Sequence, residues 1–522
     1  MTGAQWDEAD GSKPANMEKV NDQTQDVEVE AGSTRAAGVR GLFAKIVSVS
    51  PVEARGVMPV PLEERTSTNY SSYFSIWFCM NINLLPITFG MLGTTTYLLS
   101  VRDCALVILF FSLLTAAFPA YLGILGPNTG LRQMIQARYS FGRYLVSIPV
   151  ILNLATLTGF CVVICVVGGQ CLSAVAGGTL SAAVGIVIVG LLALGISFCG
   201  YRVLHGYERY AWIPALIAIV ITTGCGGSKL KQQVDTEPAT PAAVLSFGMI
   251  VASYMIPYAC LSSDFTTYLN PKFSSYVRSP PFMIGPTDKE YSVRLFLYAY
   301  AGIIIPSVPL LTLGAAIGGA IGNIPEWTEG YDTTSVGGVL AAMLAPAGGF
   351  GKFVVVILSF TMLGNIAATM YSITLNFQML IPQLVVVPRY VFSIIITAIV
   401  IPVSVKAAAD FFSSLENFIS LIGYWSAAFV GVLIMEHLVI RRGQYSSYDQ
   451  AAWNSAKLLP WGIAAITASV LSFALVIPSM GQVWWTGPIA ESAGDLGFEF
   501  AIVVTAVLYV PMRLVEKRFA GR

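Results

Sequence analysis

The sequence predicts an all-α polytopic membrane protein: a twelve-helix, five-plus-five inverted-repeat transporter fold with broken helices 1 and 6. Of its 522 residues, 55% are hydrophobic and only 11% are charged, whereas a soluble globular chain is about 25% charged. Apolar runs recur that reach the roughly 20 residues needed to cross a bilayer. Two of these runs, five apart, are interrupted by proline and polar residues, a pattern typical of the discontinuous helices in secondary transporters.

The composition also excludes several classes of function. The net charge is zero, which argues against a nucleic-acid partner. His205 and His437 are the two histidines, and the eight cysteines show no metal-type pairing, so neither a metal nor a cofactor is expected. The sequence shows no paired carboxylates and no His-Glu-x-x-His or Gly-x-Ser-x-Gly motif, so an enzyme is not expected.

The first segment, residues 1–69, is rich in acidic, amide and hydroxyl side chains and is predicted to be a mostly disordered tail. Span 1 follows at 70–99 and contains Asn81, Asn83 and Pro86. Because proline removes a backbone donor, we expect the helix to break near its middle, with the two amides facing a site. The alternative is a kinked helix that packs through its small residues.

Eleven further spans complete the chain. Span 6 is the second interrupted run, because Pro257 stands between Tyr254 and a polar Ser-Ser-Asp at 262–264. The transport core is predicted at 70–440, with inverted repeats at about 70–225 and 242–440, and spans 11 and 12 with a short tail occupy 441–522. Spans 2 to 12 are predicted near 103–124, 145–170, 181–199, 208–225, 242–263, 294–321, 351–380, 387–405, 418–440, 458–479 and 498–514.

Positive charge predicts the orientation of the spans. Lysine and arginine concentrate in the connections that follow even-numbered spans, for example Arg132 and Arg138 after span 2 and Arg441 after span 10. Cytoplasmic loops carry such an excess, so both termini are expected in the cytoplasm. The connection between spans 2 and 3 is expected to form a short interfacial helix.

Several motifs, taken together and in order, resemble those of one family, the fungal purine–cytosine permeases of the nucleobase–cation symporters. The likeness covers about 63–442. It rests on ERTSTNY before span 1, Gly90-x-x-Gly93, GPNTGLRQM after span 2, GGQ at 168–170, GYRVLHGYERYAWIP at 200–214, SSDFTTYL at 262–269, and LIGYWSA and EHLVIRR within 421–442. The resemblance implies a twelve-helix importer of small planar heterocycles that uses protons.

The resemblance also indicates where this chain differs from its family. The family pattern has Gly-Trp in span 3 with Asn four residues later, whereas this chain has Phe160 and Ile164. Tyr258 stands where a tryptophan is frequent, and span 8 keeps one amide, Asn365, near Thr369. Core packing is the alternative for Phe160 and Ile164. The predicted substrate-binding residues are Asn81, Asn83, Phe160, Ile164, Tyr258, Asn365 and Thr369.

Two acidic residues have predicted roles in transport. Glu208, at the start of span 5, is retained in the family pattern and is expected to exchange the coupled proton, because burial raises the pKa of a carboxyl group. A salt bridge with Arg209 or Arg202 is the alternative. Asp264, at the end of span 6, is expected to latch a gate through a basic loop residue, or else faces water.

The predicted function is therefore secondary active, proton-coupled import of a small planar heterocycle, with purine nucleobases and cytosine first. A vitamin-like ring such as vitamin B6 is the alternative on the same scaffold, and a non-transporting nutrient receptor is the alternative from another class. The expected partners are the heterocyclic substrate, a proton or other cation, and the lipid bilayer of the plasma membrane.

Overall fold

A computed structural model describes residues 56–177, 179–198, 210–271, 288–381, 384, 387 and 389–521. Most of the predicted N-terminal tail and the predicted coupling residue Glu208 lie outside the described residues.

Over the described part of the chain, twelve spans cross the predicted membrane. Eight apolar helical segments are long enough by themselves. The segment 390–440 contains two spans, 9 and 10, and the segment 325–380 contains a separate helix followed by span 8. A bent pair forms span 1, and two shorter apolar helices supply spans 4 and 11. Both ends of the described chain therefore lie on one side of the bundle, here named the terminal side; the other is the distal side.

The helices of spans 1 to 6 are Ser71–Asn81 with Leu84–Thr95, Val101–Thr115 with Ala117–Thr129, Ser147–Val175, Ala182–Phe198, Trp212–Gly226, and Pro241–Met255 continued by the 3-10 turns Ile256–Cys260 and Ser262–Phe265. Those of spans 7 to 12 are Asp288–Ala320, Gly348–Phe360 with Leu363–Leu380, Arg389–Ala407, Phe411–Met435, Ile463–Ser479 and Gly497–Ala520.

Elements outside the spans lie on both sides of the bundle. The expected helix between spans 2 and 3 is Gln133–Phe141, on the terminal side. On the distal side, the connection between spans 7 and 8, where no helix was predicted, holds the helix Pro325–Leu344, which is interrupted at Thr334 and Ser335. A two-stranded hairpin, Gly481–Gln482 with Trp485–Thr486, follows span 11.

The break in span 1 is confirmed near the middle of the span, four and three residues before Pro86. Helix Ser71–Asn81 ends, Ile82 and Asn83 leave the helical conformation, and the second half starts at Leu84 with a bend of 53°. Pro86 is thus the third residue of the new helix. Its missing N–H costs nothing there, because the first turn has no internal acceptors for such groups.

Span 1 approaches span 7 closely through glycines. A Cβ added to Gly90 would lie 1.9 Å from the carbonyl oxygen of Leu311, and one added to Gly314 would lie 2.0 Å from that of Ile87. Small residues permit such backbone approach between membrane helices. This contact places the break in span 1 beside the middle of span 7.

Candidate functional site

The break in span 1 is held open by the side chain of Asn83. Asn83 caps the second half: its Oδ1 accepts a hydrogen bond from the N–H of Leu85 at 2.8 Å. Its Nδ2 donates to the carbonyl oxygen of Met80 at 2.7 Å. The amide therefore satisfies one orphan group on each side of the break, as an N-cap residue does.

The neighbouring amide, Asn81, joins three spans. Its Oδ1 accepts hydrogen bonds from the hydroxyls of Tyr254 at 2.7 Å, Ser307 at 3.0 Å and Tyr258 at 3.1 Å. Its Nδ2 donates to the carbonyl oxygen of Trp77 at 2.8 Å. We name these four residues, Asn81, Tyr254, Tyr258 and Ser307, the amide junction. It connects spans 1, 6 and 7 at the level of the break, entirely through neutral groups.

Aromatic rings form a wall beside the amide junction. The ring of Tyr258 packs at a tilt against Trp77, with centroids 5.1 Å apart, and edge-on against Tyr254 at 5.8 Å. Trp77 also meets Phe265 edge-on at 5.9 Å. Tyr258 follows Pro257 in a 3-10 turn, so span 6 loses its regular α-helix where this ring is presented.

Span 8 reaches the same break from the other side. Asn365 lies in the first turn of helix Leu363–Leu380, after span 8 is interrupted. Its Nδ2 donates to the carbonyl oxygen of Met80 at 3.1 Å, and its Oδ1 accepts from the hydroxyl of Thr369 at 3.3 Å. Asn365 and Tyr258 therefore contact adjacent residues of span 1. Both keep a small exposed fraction, 7% and 6%, although they lie inside the bundle.

The two predicted residues of span 3 lie in different surroundings. The ring of Phe160 packs edge-on against Phe418 of span 10 at 5.9 Å. Gly159 makes this contact possible, because a Cβ there would lie 1.9 Å from the Phe418 ring. Ile164 has no exposed surface and belongs to the apolar core, which fits the packing alternative.

On the terminal side, the side chain of Arg132 joins several parts of the chain by hydrogen bonds. Its guanidinium donates to the carbonyl oxygens of Gly56 at 2.7 Å and Asp264 at 3.3 Å, and to the hydroxyl of Tyr371 at 2.9 Å. The carboxylate of Asp264 accepts from the N–H of Gln133 at 2.9 Å. These hydrogen bonds place Asp264 where the end of span 6 meets span 8 and the connection between spans 2 and 3.

Sequence reasoning missed three parts of this arrangement. Tyr254 lies one helical turn before Tyr258 and could have been found by that spacing. Ser307, between Pro306 and Pro309, could have been noticed as a polar residue in a proline-marked stretch. The carbonyl oxygen of Met80 carries no sequence signal. Within the described residues, no group of three or more His, Cys, Asp or Glu could hold a metal ion.

Comparison with known proteins gives consistent results over nearly the whole chain. A family described as "Permease for cytosine/purines, uracil, thiamine, allantoin" matches residues 59–500. Purine-cytosine permease fcyB of Emericella nidulans is 32% identical over 489 residues, 92% of each chain. Vitamin B6 transporter TPN1 of Saccharomyces cerevisiae is 25% identical over 539 residues, 92% of this chain and 90% of its own.

A similar fold is found among solved structures. Mhp1, a nucleobase-cation-symport-1 family transporter in a closed conformation with bromovinylhydantoin bound, superimposes with a TM-score of 0.64. Sequence identity is 17%, and the match covers 89% of this chain and 96% of the other. The likeness confirms the predicted transporter fold with its broken helices.

Proposed function

Because the chain belongs to the family of permeases for cytosine/purines, uracil, thiamine and allantoin, we propose that it imports a nucleobase, a purine or cytosine, together with a cation. It is a transport protein and not an enzyme. The observation that carries the proposal is the meeting of Tyr258 and Asn365 on adjacent residues at the break in span 1.

The chemistry of this meeting point suits a flat, polar ring. Tyr258 keeps a small exposed fraction and offers an aromatic ring against which a substrate ring can stack, and the buried Trp77 packs behind it. Asn365 offers an amide, which can act as both donor and acceptor toward the edge of a nucleobase. We propose that Tyr258, Asn365 and Thr369 contact the substrate and that Phe160 bounds the site on the side of span 3.

Asn81 and Asn83 have a different proposed role. Each bonds protein partners through both its amide oxygen and its amide nitrogen at 2.7–2.8 Å and has no exposed surface. The bonds of Asn365 are longer, 3.1 and 3.3 Å, and its side chain keeps an exposed fraction of 7%. Buried polar groups need such partners, and breaking them for a substrate would cost about 1–3 kcal/mol for each unsatisfied group. We therefore propose that the two amides shape the break, while Tyr258 and Asn365 make the direct contacts.

The proposed coupling ion is the proton, with Glu208 as the exchanging group and Asp264 as part of the terminal-side gate. Changing Glu208 to Gln tests the first assignment, because an amide cannot exchange the proton. Proton-driven accumulation should be lost while surface expression and substrate exchange remain. Wild-type accumulation in Glu208→Gln would assign that side chain to structure.

The proposed location is the plasma membrane, with both termini and the terminal side in the cytoplasm. Lys457, in the connection between spans 10 and 11, and Glu329, in the distal helix, are both exposed. Single cysteines at these positions, in a background whose own cysteines do not react, should be labelled from opposite sides. Labelling of both from outside the cell would overturn the orientation.

Vitamin B6 is the second candidate substrate, favoured by the 25% identity to TPN1. Uptake of labelled hypoxanthine, adenine, cytosine and pyridoxine in cells lacking their own carriers separates the candidates. We expect accumulation of a nucleobase above its outside concentration, abolished by a protonophore. Accumulation of pyridoxine alone would replace the nucleobase proposal. Binding without accumulation of any ligand would indicate a receptor.

A further inference from the structure

In the amide junction, three hydroxyl groups donate to one amide oxygen, that of Asn81, which has two lone pairs. The Oδ1 of Asn81 has two lone pairs but receives three hydroxyls, at 2.7, 3.0 and 3.1 Å. The amide cannot turn to relieve this, because its Nδ2 donates to the carbonyl oxygen of Trp77. A carbonyl cannot donate in return, so the orientation of the amide is fixed by this bond.

The three hydroxyls differ in their freedom to leave. Tyr254 and Ser307 have no exposed surface, and the Tyr254 ring is packed against Phe89 at 5.2 Å. Tyr258 has the longest contact, keeps 6% of its surface exposed and follows Pro257 in a 3-10 turn. If Tyr258 leaves, Tyr254 and Ser307 still fill both lone pairs. Its hydroxyl can therefore depart without leaving a buried acceptor unsatisfied.

We propose that the Tyr258 hydroxyl is an exchangeable donor that leaves Asn81 when substrate binds and donates to an acceptor on the ring edge. The acceptor class is an unprotonated ring nitrogen or a ring carbonyl oxygen. Tyr258 is then a specificity-determining residue. Tyr254 and Ser307 are positioning residues, because they hold Asn81 in place after the Tyr258 hydroxyl has left. The inference rests on the proposed import of a nitrogen heterocycle.

A consequence follows for substrate analogues. An analogue in which the recognised ring nitrogen is replaced by C–H cannot accept the hydroxyl, so Tyr258 stays on Asn81. The transporter should therefore bind that analogue about three- to tenfold more weakly than the parent purine, the effect of one hydrogen bond. Removing the Ser307 hydroxyl should weaken binding of the parent purine only. Binding of the parent requires Tyr258 to leave Asn81, whereas binding of the analogue does not.

The experiment is competition against uptake of a labelled purine in intact cells by a series of purines with one ring nitrogen at a time changed to C–H. The wild type, Tyr258→Phe, Ser307→Ala and the control Thr312→Val are compared at matched surface levels. Thr312 is also in span 7, but its hydroxyl donates to the carbonyl oxygen of Val308 in its own helix. The readout is the ratio of inhibition constants, analogue over parent.

We expect one analogue to show a raised ratio in the wild type and in Thr312→Val. In Tyr258→Phe this ratio should fall to about one. In Ser307→Ala it should be intermediate, because the parent alone is weakened, and Ser307→Ala should change nothing further when combined with Tyr258→Phe. A general packing defect would weaken parent and analogue alike and leave the ratio unchanged.

A wild-type ratio in Tyr258→Phe for every analogue would overturn the inference. If Tyr258→Phe does not reach the surface, an unchanged ratio in Ser307→Ala has the same meaning. Failure of the proposed function looks different, because the wild type would then take up neither labelled purine nor labelled cytosine.

Discussion

Two buried polar junctions in this molecule are built from different chemistry. The amide junction at the break in span 1 contains no charge. The second, here named the ionic junction, joins the ends of spans 10 and 12 on the terminal side. In it, Glu436 accepts hydrogen bonds from Arg441 at 2.9 Å and Tyr509 at 2.8 Å, and lies 3.5 Å from Arg513. Glu516 extends it, with Arg513 at 3.5 Å and the N–H of Gly462 at 2.7 Å.

The difference indicates which parts of the transporter are built to move. Removing one partner of a buried ion pair costs about 3–5 kcal/mol, so the ionic junction holds spans 10 to 12 in one arrangement. Neutral hydrogen bonds contribute about 1 kcal/mol each and can exchange partners. The amide junction can therefore exchange partners at the place where we propose that substrate binds, whereas the ionic junction lies at the ends of spans 10 and 12.

The largest expected effect is at the ionic junction. Changing Glu436 to Ala leaves Arg441 and Arg513 without their shared carboxylate. The purified protein should lose about 3–5 kcal/mol of stability, measured by unfolding, and reach the cell surface poorly. Glu491→Ala is the control, because Glu491 is exposed. Equal stability of the two variants would mean that the contrast between the junctions is wrong.

The next effect concerns the close contact between spans 1 and 7, which positions Ser307 beside Asn81 in the amide junction. Changing Gly90 to Ala drives a Cβ into the Leu311 carbonyl oxygen and should push span 7, with Ser307, away from Asn81. Overpacking of this kind costs about 1–3 kcal/mol. We expect weakened uptake and a lower unfolding temperature. Gly349→Ala serves as the matched control, since no atom lies within 4 Å of a Cβ there. Normal uptake by Gly90→Ala would mean that the contribution of span 7 to the amide junction is not needed for transport.

A third junction, on the distal side, sharpens the comparison because it holds one carboxylate without a cationic partner among the described residues. Asp495 accepts from the Tyr424 hydroxyl and from the N–H groups of Gly481 at 3.0 Å and Gly497 at 2.8 Å. Burial raises the pKa of Asp495 to about 6. The folded state thus holds this proton more tightly than the unfolded state.

The sign of the pH dependence follows from that shift. Its contribution to stability is complete below pH 4, near the unfolded pKa, and is lost as the pH rises through about 6. Unfolding of the wild type, followed from pH 4.5 to 7, should become easier with rising pH by about 2 kcal/mol more than unfolding of Asp495→Asn. Identical slopes for the two proteins would show that Asp495 does not titrate in this range.

The smallest effect concerns Ile164, which tests whether span 3 faces the ligand. If Ile164 faces the ligand, changing it to Asn offers an amide to a polar ring edge and improves competition by cytosine or purines about fivefold, the effect of one hydrogen bond. Because Ile164 has no exposed surface and belongs to the apolar core, we expect an unchanged competition profile in Ile164→Asn. Ile164→Leu is the control for altered packing, and a fivefold improvement in Ile164→Asn alone would show that span 3 faces the ligand.

The sequence was informative where hydrophobic composition and the positions of proline and polar residues determine the structure. Hydropathy and the polar interruptions predict the twelve spans and the breaks in spans 1 and 6. The break predicted from Pro86 lies at Ile82 and Asn83, because a proline in a helix excludes the carbonyl oxygen four residues earlier. The cap made by Asn83 was missed, because it depends on backbone conformation that a residue pattern does not reveal. The distal helix Pro325–Leu344 was missed because its first half is polar and reads as a loop.

The amide junction was less predictable, for a physical reason. Asn81 was recognised because an amide inside a membrane needs partners. Its partners Tyr254 and Ser307 come from spans 6 and 7, and hydroxyls are common in membrane helices, where they often bond their own backbone, as that of Thr312 does. Only the tertiary arrangement distinguishes hydroxyls that bond a neighbouring span from hydroxyls that bond the backbone of their own helix.

Direct binding to the purified protein tests the central claim, that a nucleobase binds at the break in span 1. Equilibrium binding of a labelled purine would be measured for the wild type, Asn365→Leu and Asn128→Leu. Asn128 is the matched control, since its amide bonds the carbonyl oxygen of Ile124 in its own helix. We predict saturable binding, weakened at least about tenfold in Asn365→Leu and unchanged in Asn128→Leu. Wild-type affinity in correctly folded Asn365→Leu would contradict the account.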